Sequence, residues 1–80
     1  MNRILIIGAG AAGRVVTKKC LKNKDFFSEV HVASRTFSRC LKLKEECNQE
    51  IKIYQLDADI VSDTIKLIKK INPALVINMA

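Results

Sequence analysis

The stretch Arg3-Ile4-Leu5-Ile6-Ile7-Gly8-Ala9-Gly10-Ala11-Ala12-Gly13 carries the strongest fold signal in the chain. Residues 3–7 are an apolar run rich in β-branched side chains and closed by glycine. Such a run reads as a strand buried on both faces, the environment of a central parallel strand. Gly8, Gly10 and Gly13 then fit G-x-G-x-x-G, directly after a predicted strand and at the opening of a predicted helix. Alone that pattern is weak, but in this setting each glycine has a physical task. Gly8 permits the tight turn, Gly10 lets backbone approach a pyrophosphate, and Gly13 lets the helix pack close to the strand. Ala9, Ala11 and Ala12 keep the approach open. The helix start presents unpaired N–H groups and the positive end of its dipole to an anion. Arg14, one residue further, either reaches a phosphate or is a solvated helix residue.

Outward from this turn, strands and helices alternate. Residues 11 to about 23 form an amphipathic helix, with Ala12, Val15, Val16 and Cys20 at helical spacing and lysines opposite. Residues 29–33 alternate as a second strand, and 37 to about 48 give a helix with Cys40, Leu43 and Cys47 on one stripe. Residues 51–56 are a third strand, with Ile51, Ile53 and Gln55 on a shared face. Residues 62–71 are a helix carrying Ile65, Ile68 and Ile71, with Asp59 or Ser62 as candidate N-cap. Asn72-Pro73 ends it, because proline disfavours helical geometry in the residue before it. Residues 75–79 form a fourth apolar strand. The order β-α-β-α-β-α-β implies an α/β fold with a Rossmann-like parallel sheet and right-handed crossovers. A complete dinucleotide-binding domain of this kind needs about six strands. The expectation is therefore that residues 1–80 are the N-terminal part of a larger NAD(P)-binding domain, with the catalytic and substrate domain absent.

The end of the second strand decides which dinucleotide fits. NAD-binding domains carry Asp or Glu there, about 20 residues beyond the glycines, to accept hydrogen bonds from the ribose hydroxyls. This chain has Ala33-Ser34-Arg35-Thr36 and no carboxylate at that position. A carboxylate would repel a 2′-phosphate. Arg35 can instead pair with it bidentately, while the Ser34 and Thr36 hydroxyls donate to its oxygens. Arg39 follows one helical turn later and can close the other side. The pattern favours NADP over NAD. The plainer alternative is that Ser34 or Thr36 caps the second helix and Arg35 is solvated.

Asp57-Ala58-Asp59 follows the third strand, where such folds hold adenine; helix capping by Asp59 is the competing account. Asn78, at the end of the fourth strand, either reaches ribose or pyrophosphate or satisfies backbone at the strand end. His31 reads as structural, and Tyr54, Phe26, Phe27 and Phe37 as packing residues, with Phe37 also near enough in sequence to edge against adenine.

The 80 residues are 49% hydrophobic and 28% charged, a globular composition that excludes intrinsic disorder. No apolar run approaches the roughly 20 residues that span a bilayer, and no signal peptide is visible. The formal charge of +6 is spread over helix surfaces, with lysines near helix C-termini where the dipole favours them. No aromatic-basic motif accompanies it, so neither nucleic acid nor membrane is expected as a partner. Cys20, Cys40 and Cys47 lack CxxC spacing and read as reduced, buried thiols of a cytoplasmic protein. With His31 the sole histidine, no metal site is expected.

Taken together, residues 4–16 (ILIIGAGAAGRVV), 33–40 (ASRTFSRC), 55–59 (QLDAD) and 73–80 (PALVINMA) resemble the N-terminal cofactor domain of the saccharopine dehydrogenase family, in its carboxynorspermidine synthase branch. The resemblance covers nearly the whole chain. It implies an NADPH-dependent oxidoreductase that joins an aldehyde, aspartate semialdehyde, to a diamine through an imine that is then reduced. It also implies that substrate-binding and proton-transfer residues lie beyond this stretch, so that the fragment alone is inactive. The intact enzyme is expected to take a small-molecule substrate and to be a homo-oligomer. Two other readings stay open: an NADP domain like that of shikimate dehydrogenase, and a non-catalytic nucleotide-binding regulatory module.

Overall fold

A computed structural model describes residues 2–80. The elements follow in the order β1 (Asn2–Ile7), α1 (Ala11–Leu21), β2 (Phe27–Ser34), α2 (Phe37–Glu46), β3 (Lys52–Gln55), α3 (Val61–Ile71) and β4 (Leu75–Asn78). The four strands form one sheet in the order β3-β2-β1-β4, and every pairing is parallel. This is the expected Rossmann-like α/β arrangement. β2 starts at Phe27, earlier than its alternating pattern suggests, because Asn2 pairs with Phe27 across an irregularity between Asn2 and Arg3.

Strand side chains alternate between faces, so β1 feeds two cores. Ile4 and Ile6 join Val30, Val32, Cys20, Cys40, Leu43 and Cys47 beneath α1 and α2. Leu5 and Ile7 join Ala33, Leu56 and Ile71 beneath α3. Ile4, Leu5 and Ile6 are fully buried, as a central parallel strand requires.

α1 buries only half of its apolar stripe: Cys20 is in the core and Val16 packs against it, but the other two positions face out. Gly13, Thr17 and Cys20 are buried against the sheet, whereas Ala12 is exposed and Val15 is 54% exposed. The close approach at Gly13 sets the rotation of the helix and overrides the hydrophobic pattern. The expected caps of α3 also differ. Its N-cap is Ile60, and neither Asp59 nor Ser62 caps it by a side-chain hydrogen bond. The carboxylate Oδ1 of Asp57 instead accepts the Asp59 N–H at 3.0 Å, a turn that uses up the short polar side chain before the helix starts. Of its expected stripe, Ile71 is buried but Ile65 is 47% exposed. The helix ends at Asn72 in the left-handed conformation (φ 51°), ahead of Pro73.

His31 sits inside the sheet on the α3 face, 3% exposed. Its Nδ1 lies 2.8 Å from the Tyr54 hydroxyl and its Nε2 lies 2.8 Å from the Glu29 carboxylate. A neutral ring satisfies both: Nε2–H donates to Glu29 while Nδ1 accepts from Tyr54. Burial pushes the imidazole below its ordinary value of 6.5, against the opposing pull of Glu29. The three cysteines are buried and free, and burial pushes each thiol up, as inert packing thiols behave.

Two stability predictions follow from these buried polar groups. The Thr17 hydroxyl is buried without a hydrogen-bond partner among the described residues. Thr17→Val keeps the shape and removes the orphan, so chemical denaturation of the intact protein should show unchanged or increased stability, by up to about 1 kcal/mol. For His31, the unfolded chain takes up its proton first as pH falls, since the folded value is depressed. Stability is therefore full above pH 6.5 and declines as pH drops through the folded value. Denaturation midpoints should fall as pH drops below the ordinary imidazole value of 6.5, and His31→Gln should flatten that part of the profile.

Candidate functional site

The strand ends are brought level by backbone hydrogen bonds across the sheet. The Gly8 N–H donates to Ala33 O (2.7 Å), Leu56 N–H to Ser34 O (3.0 Å) and Met79 N–H to Ile7 O (2.7 Å). The residues after all four strands therefore meet along one edge, the carboxyl edge where open α/β sheets hold ligands. A cleft of about 360 Å³ opens there, walled by Gly8, Ala9, Gly10, Ser34, Arg35, Thr36, Arg39, Leu56, Asp57 and Ala58 among others.

The three glycines differ in what the protein itself asks of them. Gly8 has φ +119°, a conformation other residues rarely adopt, and an added Cβ would lie 3.0 Å from the Met79 carbonyl carbon. A Cβ on Gly13 would sit 2.0 Å from the Gly8 carbonyl oxygen. Both positions are thus dictated by the chain's own packing. Gly10 is not. Its backbone is ordinary (φ −76°, ψ −168°), and its Cβ would point into the cleft, with the Arg39 Nη1 at 3.8 Å as nearest neighbour. A group entering from outside would fill that space.

The cationic clasp is assembled from the β2–α2 junction. Ser34 ends β2, and its Oγ accepts the Thr36 N–H at 3.2 Å. Thr36 occupies the N-cap position of α2 without a side-chain capping bond, so the helix-capping account of its hydroxyl does not hold. Arg35, Thr36 and Arg39 are exposed and line the cleft. Neither arginine has a carboxylate partner among the described residues. Arg14 is committed elsewhere, to Glu46, which also holds Lys18 at 3.0 Å. Hydrogen bonds from Lys18 and Arg14 hold the Glu46 carboxyl below its usual range.

Gly8, Gly10, Ser34, Arg35, Thr36, Arg39, Asp57 and Ala58 come together as the sequence suggests. Ala11 lines a neighbouring notch instead. Ala12 and Gly13 line neither. Asn78 is also outside the cleft wall, and its Oδ1 accepts the Ala80 N–H at 3.0 Å, the backbone role among its alternatives. Phe37 packs against the core beneath α2 and does not edge the cleft. Ile7, Ala9, Leu56, Asp59, Met79 and Ala80 complete the wall; Leu56, Met79 and Ala80 carry no ligand chemistry of their own and join it only when the strand ends align. A larger concavity of about 550 Å³ lies beside β3 and α3, and Arg35 borders both.

The saccharopine dehydrogenase NADP binding domain matches residues 4–80. The chain belongs to this family. Among relatives, a carboxyaminopropylagmatine dehydrogenase of Synechocystis is 38% identical over an alignment of 81 residues, covering the whole chain. Carboxynorspermidine synthases of Vibrio cholerae and Vibrio alginolyticus are 34% and 36% identical over 94% of it. The chain spans 20% of the length of each of these proteins. The three relatives are named as a dehydrogenase and two synthases, and the family description names NADP.

The glycines of this family member should separate by substitution. Gly13→Ala should destabilise the fold by about 3 kcal/mol, the upper range for overpacking, because backbone must move. Gly10→Ala should stay within about 1 kcal/mol of the parent. Urea denaturation of the two variants measures the contrast.

Proposed function

We propose that the chain binds NADP(H) in the carboxyl-edge cleft, as the cofactor-binding portion of an oxidoreductase. The observation that carries this reading is Gly10: neither a positive φ nor a packing contact requires a glycine there, whereas a diphosphate lying on the turn would. The unpaired N–H groups at the start of α1 would hold that diphosphate. Arg35 and Arg39, exposed and without carboxylate partners, would take the 2′-phosphate together with the Ser34 and Thr36 hydroxyls. Asp57 and Ala58 would border the adenosine. When bound, NADPH supplies a hydride; the contribution of this chain is to bind and orient it.

The intact protein is read as a larger enzyme of which these residues form the N-terminal part. The exposed apolar residues Leu75, Val76 and Met79, on and just after the edge strand β4, support continuation of the sheet beyond it. The reaction we infer for it is a reductive condensation of an aldehyde such as aspartate semialdehyde with a diamine; the relatives' names, carboxynorspermidine synthase and carboxyaminopropylagmatine dehydrogenase, support a carboxylated polyamine as product. A small-molecule substrate, a homo-oligomeric state and a cytoplasmic location belong to the same reading. No helix among the described residues is long and apolar enough to cross a membrane.

Fluorescence titration of the intact protein should give tighter binding of NADPH than of NADH. Arg35→Ala should weaken NADPH by about 1.5 kcal/mol, the low end for a charge-assisted hydrogen bond because Arg35 is exposed, and leave NADH unaffected. Equal affinities for the two cofactors in the parent protein would overturn the NADP assignment.

A further inference from the structure

Beside the cleft, between the start of α1 and the first two turns of α2, lies a notch of about 320 Å³ lined by Ala9, Gly10, Ala11, Arg14, Arg39, Lys42 and Leu43. Three of these residues are cations and none is acidic. Arg39 belongs to both the cleft and the notch, and its Nη1 would lie 3.8 Å from a Cβ added at Gly10. Arg14 already has Glu46 as partner. Lys42 has no ion-pair partner among the described residues.

Placing these charges here is unfavourable for the free protein. Arg39 and Lys42 stand three positions apart on α2, where like charges repel. Arg39 lies in the first turn, where the helix dipole disfavours a cation, and that turn has no acidic residue to offset it. The first turn of α1 is likewise without an acid, and its N-terminus borders the same notch. An anion held between the helices would relieve both costs. The diphosphate is accounted for by the glycine turn, which leaves the phosphomonoester.

We propose that Lys42 is a specificity-determining residue, the outer partner of Arg39 in holding the 2′-phosphate of NADP(H) where the cleft meets the notch between α1 and α2. The proposal rests on the cofactor reading above and adds a cation that no motif marks. Arg35 lines the cleft, Lys42 lines the notch and Arg39 lines both, so a phosphate seated at Arg39 would have one further cation on each side. Lys42 is exposed, so its substitution leaves the core intact.

The test compares the intact protein with Lys42→Met and Lys42→Arg, titrated with NADPH, NADH and adenosine 2′-monophosphate. Lys42→Met should weaken NADPH and adenosine 2′-monophosphate about fivefold, the factor one exposed charge pair supplies, with NADH unchanged. Lys42→Arg should restore most of the loss. Unchanged NADPH affinity in Lys42→Met would overturn the role of Lys42 while a preference of the parent protein for NADPH upheld the cofactor reading. An equal loss for NADH would also overturn it, since the 2′-phosphate would not be what Lys42 senses. A parent protein that binds neither dinucleotide would remove both readings together.

Discussion

The carbonyl oxygen of Gly8 occupies the space where residue 13 would carry a side chain, and much of the architecture depends on that contact. It brings the start of α1 hard against the end of β1. Once this is set, the rotation of α1 follows, burying Thr17 and Cys20 and turning Val15 outward. The N–H groups at the start of α1 then face the space above the strand ends. The same contact therefore serves the core and the cleft. A residue with a Cβ at position 13 would push α1 away from both.

The charge distribution has its own order. Glu29 gathers Arg3, Lys52 and the His31 ring, Glu46 gathers Arg14 and Lys18, and Glu50 holds Lys24. These pairs lie mostly on exposed surface, where each contributes little to stability. Around the cleft and its notch, by contrast, Arg35, Arg39 and Lys42 have no ion-pair partner among the described residues, and they stand next to the dipoles of two helices. A protein optimised for stability alone would place acids at those helix starts. The net positive charge is thus less informative than the location of its uncompensated part.

Much was legible in the amino-acid sequence because it depends on local demands. The alternation of strands and helices, the buried β1 run, the turn glycines and the Asn72-Pro73 helix end each follow from backbone preference or a short-range pattern. The absence of an acid after β2 could likewise be read directly, and it marks Ser34, Arg35, Thr36 and Arg39, which the fold then gathers with Gly8 and Gly10. Local reasoning failed where a distant contact competes with a local preference. Apolar spacing puts Ala12 and Val15 inside, but the Gly8–Gly13 approach rotates them out. Asp59 and Ser62 are good capping residues, yet the turn made by the Asp57 carboxylate starts α3 at a different point.

The sequence by itself determined which segments become strands and helices, their order, and the cationic, acid-free character of the β2–α2 junction. It could do so because a fixed φ, a missing Cβ or a missing carboxylate acts within a few residues of where it occurs. Only the tertiary structure decided that Gly10 is unconstrained while Gly8 and Gly13 are required, that Asn78 serves backbone, and that Lys42 shares a notch with the glycine turn. Those outcomes depend on distances between segments far apart in the chain, which the register of the parallel sheet sets and no local pattern encodes.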